Sequence, residues 1–104
     1  MTLEQAQKLG KVWEKNGMKR IYINEQIITQ AIGLELSFYK TGNISDSTLN
    51  GETISHSRAR DLLSDIKDGK FWFDLADNQF HTRSTRNWDS FDLENSLCKL
   101  ADNK

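Results

Sequence analysis

Two histidines, His56 and His81, and one thiol, Cys98, supply the metal-binding and nucleophilic side chains of this 104-residue sequence. Scattered over three segments, they do not match the short, repeated spacing of zinc ligands, so no metal site is expected. Ser55-His56-Ser57 places serine beside histidine. Neighbours in a chain point in different directions, however, and no acidic residue is placed to orient the ring, so the run reads as a helix N-cap. Asp61, Asp65 and Asp68 recur at helical spacing and read as a solvated face. Gly42 and Gly51 fall in turns, and the other four glycines in or after helices, so no phosphate-cradling loop is present. No catalytic residue and no cofactor are expected, and an enzyme is the least favoured reading.

The second histidine belongs to a more informative group. Residues 70–75 and 79–83 alternate like strands, and Asp77-Asn78 between them reads as a two-residue turn. That turn pairs Leu75 with Phe80 and Phe73 with Thr82 on a core face. On the other face it pairs Asp74 with His81 and Trp72 with Arg83. Tryptophan beside arginine is the composition of interaction hot spots, so Trp72, Arg83, His81 and Asp74 form the candidate protein-binding site. Ordinary cross-strand pairing accounts for the same residues, and a helix laid over this face would bury Trp72.

A second candidate is electrostatic. Between residues 8 and 20 stand Lys8, Lys11, Lys15, Lys19 and Arg20 against the single acid Glu14. The first three recur at helical spacing. A solvated helix face explains them; a footprint for nucleic acid or for an acidic protein partner is the alternative, with Tyr22, Trp72 and Trp88 able to stack on bases. Five cations support only weak nucleic-acid binding. The whole chain carries 14 basic and 15 acidic residues, a formal net charge of −1, which argues against a dedicated nucleic-acid or membrane protein.

These groups need a scaffold. At 37% hydrophobic the chain is lean but able to collapse, and its length supports one domain, residues 1–104. A lone cysteine precludes an intramolecular disulfide, the N-terminal ten residues are polar, and no apolar run approaches a membrane span. A cytoplasmic protein without membrane association is expected. Thr2 and Gln5 predict a capping box opening a helix with Leu3, Ala6, Leu9 and Trp13 on one face, stopped at Asn16-Gly17. Residues 19–24 read as a strand and 25–32 as a short helix capped by Asn24. Residues 34–39 alternate, with Leu34, Leu36 and Phe38 inward. A turn at 41–43 leads to strand 44–49, the Asn50-Gly51 hairpin signal and a brief strand at 52–54. Ser55 or Ser57 caps a helix ending at Gly69, and Asp89 or Ser90 caps a last helix carrying Leu93, Leu97, Leu100 and Ala101. The fold expected is α+β: an antiparallel sheet of about five to six short strands, two hairpins among them, with three to four helices packed on it.

One stretch has a likeness. Trp13-Glu14, residues 19–24, Gly42-Asn43-Ile44-Ser45, Leu49-Asn50-Gly51-Glu52 and residues 54–60 together resemble small uncharacterised proteins carried by phages and mobile elements. The likeness covers residues 13–74 and rests on turns and caps. It implies an accessory protein acting by binding a host component, inhibitors of host defence being one such class, and it assigns no functional residue. The favoured function is therefore a non-catalytic protein-interaction domain.

Overall fold

The computed structural model describes residues 1–83 and 93–104. Among the described residues four helices and seven strands follow one another as α1 (Leu3–Leu9), β1 (Gly10–Lys15), β2 (Met18–Ile23), α2 (Glu25–Ala31), β3 (Leu34–Phe38), β4 (Ile44–Leu49), β5 (Glu52–Thr53), α3 (His56–Gly69), β6 (Phe71–Asp74), β7 (Gln79–Thr82) and α4 (Leu93–Asp102). The strands form two antiparallel sheets, ordered β1-β2-β6-β7 and β3-β4-β5, so the fold is α+β.

Helix starts follow their side chains. Thr2 and Gln5 make the reciprocal capping box of α1, Asn24 accepts from the Gln26 N–H, and Ser55 accepts from the Arg58 N–H. The proposed cap of the last helix, Asp89 or Ser90, lies outside the described residues, as does Trp88.

The first helix is shorter than its apolar spacing suggests. It ends at Leu9, and Gly10 to Lys15, expected to continue it, form a strand. Gly10 sits against the backbone of Tyr22, where a Cβ would collide with the carbonyl oxygen. The hairpin closes at Asn16-Gly17, both at positive φ (53° and 80°), with Lys15 opposite Met18. That is the two-residue geometry this dipeptide favours, and Asn50-Gly51 repeats it between β4 and β5 (φ 53° and 84°).

Most of the core lies between the helices and one side of each sheet. Leu9, Ile23, Ile28, Ile32, Leu62, Ile66, Phe71 and Leu97 form its centre, and Ala6, Ile21 and Phe73 a second cluster under α1. Ser47, the one buried polar residue of the described chain, donates its hydroxyl to the Ile54 carbonyl (3.0 Å). Phe38 departs from its expected inward position and is 57% exposed, because the ladder to β4 slips between Ser37 and Phe38 and ends the alternation there.

Candidate binding face

Register decides which side chains meet. Across β1 and β2, Lys11 faces Tyr22, Trp13 faces Arg20 and Lys15 faces Met18. Arg20 and Tyr22 then face Asp74 and Trp72 of β6, which face Gln79 and His81 of β7. Directly opposed residues share a side, so Lys11, Trp13, Lys15, Arg20, Tyr22, Trp72, Asp74 and His81 project together from the four-stranded sheet. The side bearing Ile21, Ile23, Phe71 and Phe73 holds the hydrophobic clusters; among the described residues neither cluster draws on the aromatic side.

The closing hairpin differs from its expected pairing. Trp72 opposes His81, Phe73 opposes Phe80 and Asp74 opposes Gln79, a slip of two residues that leaves a four-residue loop, 75–78. A two-residue turn of the favoured type needs positive φ at both central positions. Asn78 adopts it (φ 56°); Asp77 does not. Two carboxylates stabilise the wider turn, since Asp74 Oδ1 accepts from the Ala76 N–H (2.8 Å) and Asp77 Oδ1 from the Gln79 N–H (3.0 Å). A slip of two keeps every side chain on its expected face while changing its partner. Arg83, expected opposite Trp72, lies one pair further on, where its N–H donates to the Lys70 carbonyl (3.3 Å).

On that face the rings form a continuous line. Trp13 meets Tyr22 edge-on (5.9 Å), Tyr22 meets Trp72 (5.9 Å), and Trp72 stacks on His81 (5.8 Å, 22° between planes). The Arg20 guanidinium lies 4.8 Å from the Trp72 ring and 6.0 Å from that of Trp13, and donates to the Tyr22 hydroxyl (3.2 Å). Trp72 is therefore held between Arg20 and His81 and is only 9% exposed. The sequence leaves open whether this ring is exposed or covered; in the structure it is largely covered. Among the described residues it is flanked by cross-strand neighbours, Arg20 and Tyr22 on one side and His81 on the other. Trp72 Nε1 and Arg20 Nε are buried without a hydrogen-bond partner among the described residues.

The two candidate groups partly merge. Lys11, Lys15 and Arg20 share a face with Trp72, Asp74 and His81, whereas Lys8 belongs to α1 and Lys19 projects from the opposite side of β2. A helical reading of residues 3–13 hides Trp13 as a site residue. The Asn16-Gly17 dipeptide was the available signal, since reading it as a hairpin turns Lys11, Trp13 and Lys15 into one face of a strand.

Asp77 and His81 form a hydrogen-bonded pair, Nε2 to Oδ2 at 2.7 Å. Desolvation alone raises the Asp77 carboxyl, but the hydrogen bonds from His81 and the Gln79 N–H and the charge of His81 outweigh it, and the group lies below its ordinary 3.8. A carboxyl with a depressed folded value contributes stability above its unfolded value, and that stability is lost as pH falls through the folded value. Asp77→Asn is accordingly expected to lose part of the acid dependence below about pH 4 and to leave the curve near neutrality parallel to wild type, which thermal melts across pH 2–7 would show. The donor atoms of Asp74, Asp77 and His81 lie within 4.8 Å of one another. To hold a divalent ion they would give up the Asp77–His81 hydrogen bond beside the Arg20 cation, whose Nε lies 4.0 Å from Asp74.

Comparison with known proteins returned no matching family model, no matching curated protein and no matching solved structure. Among the described residues no helix is long and apolar enough to cross a membrane.

Proposed function

We propose that this chain is a non-catalytic binding domain that holds an acidic protein partner on the aromatic face of its four-stranded sheet. The observation that carries this reading is the line Trp13, Tyr22, Trp72 and His81, threaded by Arg20, on a side of the sheet from which neither core cluster is built. Tryptophan, tyrosine and arginine are the residue types that dominate interface energetics, and rings fixed by their neighbours lose little freedom on binding. Lys11, Lys15 and Arg20 outnumber Asp74 on these strands, which sets the sign of the partner. Both faces of the Trp72 ring are occupied and Trp13 meets Tyr22 edge-on, an arrangement that suits side-chain packing better than the open platform on which unpaired bases stack. The likeness of residues 13–74 to phage and mobile-element proteins makes a host protein the partner of choice.

A photo-crosslinking residue placed at Trp13 tests this, with Val12 as control. Val12 is 60% exposed and projects from the other side of the same strand. In an extract of the source cells, position 13 should capture an acidic protein that position 12 does not. Lys11→Glu with Lys15→Glu should weaken that capture about tenfold while changing stability by less than about 0.5 kcal/mol. Equal capture from both positions, or capture indifferent to the charge reversal, would overturn the assignment.

A further inference from the structure

Beside the aromatic face, where β2 runs out and β6 begins, the surface opens into a pocket of about 510 Å³. It lies between the start of α2 and the end of α3. Its floor is apolar, with Ile23, Ile28, Ile66 and Phe71 all buried core residues. Tyr22 forms an aromatic wall. Among the described residues the rim is cationic: Lys67, Lys70 and Arg83 stand there with Arg20, and Glu25 is the one carboxylate in the lining.

Two features single this pocket out. The carbonyl end of α3 adjoins it and by itself would repel an anion, yet the residues of that end that line the pocket are Lys67 and Lys70, not Asp65 or Asp68. Lys70 also has φ 49° and ψ 145°, a backbone region used almost only by glycine. Glycine would relieve that strain, whereas lysine places its Nζ 6.0 Å from the Tyr22 ring.

We infer that this pocket binds a small aromatic phosphate of the nucleoside monophosphate class, with the flat ring system over the apolar floor against Tyr22 and the phosphate among Lys67, Lys70 and Arg83. The volume lies within the range of small-molecule sites, which combine an apolar lining with a few convergent polar groups. Three cations lining one pocket match a doubly charged phosphate better than a single carboxylate, arginine adding a planar pair of donors. The pocket shares Trp13, Arg20 and Tyr22 with the proposed partner face but needs no partner, so the two can fail separately.

Isothermal titration of the purified chain with AMP, adenosine and inorganic phosphate tests the inference. AMP should bind about tenfold or more tightly than adenosine or phosphate alone, because only AMP uses both ends of the pocket. Lys70→Gln and Arg83→Gln should each weaken AMP about tenfold and leave the thermal midpoint in place. Lys70→Gly should raise the midpoint by a few degrees through release of the strained backbone, and should weaken AMP as much as Lys70→Gln does. Absence of AMP binding up to about 1 mM, AMP no tighter than phosphate, or AMP affinity unchanged in Lys70→Gly would overturn it.

Discussion

Trp72→Ala is expected to lower stability by about 3–5 kcal/mol, read as a shift in the urea midpoint at unchanged slope. Such a loss corresponds to a fall of more than about 10 °C in the thermal midpoint of a domain this size. The indole is 9% exposed and sits in mid-sheet, touching Tyr22, Arg20 and His81 from strands on both sides. Truncation leaves a cavity that the strands on either side cannot close without abandoning their ladders. It also removes the surface on which the Arg20 guanidinium rests. Trp72→Phe separates the two contributions of the side chain, ring bulk and N–H. The Nε1 donor has no partner among the described residues, and a buried unsatisfied donor costs about 1–3 kcal/mol. Deleting it offsets much of the lost volume, so Trp72→Phe should fall within about 1.5 kcal/mol of wild type. A Trp72→Ala protein as stable as wild type would show that the indole is not held as described.

Gly10→Ala should be the second most damaging single change, at about 3 kcal/mol. The backbone at Gly10 is extended (φ −159°), so left-handed freedom is not what the position needs. It needs room. A methyl group there runs into the Tyr22 carbonyl, which is backbone and cannot rotate away. Relief requires β1 to lift from β2 where the helix hands over to the strand. Because Lys11 faces Tyr22 and Trp13 faces Arg20, the same movement pulls Trp13 away from the rings it lines up with. Gly10→Ala is therefore expected to weaken partner capture beyond what its stability loss explains, when the two variants are compared at equal folded fraction. An alanine tolerated at this position, with an unchanged melt, would refute the close approach.

Much of the fold was readable from local chemistry. The caps at Thr2, Asn24 and Ser55 announce three helices because a side-chain oxygen there satisfies an orphan N–H within three residues, which requires no tertiary knowledge. Strand β4 and its Asn50-Gly51 turn are legible for the same reason. What misled was a coincidence of period. Leu9 and Trp13 are four apart and so fit one helix face, as do Lys8, Lys11 and Lys15; but Lys11, Trp13 and Lys15 also alternate, and Gly10 with Asn16-Gly17 at the ends tips the choice toward a strand. Only the neighbouring backbone of Tyr22 shows why position 10 is a glycine.

The candidate site was half legible. Alternation alone placed Trp72, Asp74 and His81 on one side, and a slip of two residues in the hairpin could not change that. Register across strands distant in sequence could not be obtained this way. The pairing of Tyr22 with Trp72 and of Arg20 with Asp74 joins segments with no local signal for each other, so both the shielding of Trp72 and the recruitment of Trp13 stayed hidden.

The same long-range pairing bears on how the molecule is made. The two Asn-Gly hairpins close over two residues, and each can form as soon as its own segment is free. The aromatic surface has to wait. β2 finds β6 only after residues 24–70 have been brought into a closed loop, with the entropy of that closure spent before any ring meets its neighbour. During synthesis the line of rings is thus absent until the chain has passed Thr82, and an unfinished copy on the ribosome displays only its separate hairpins.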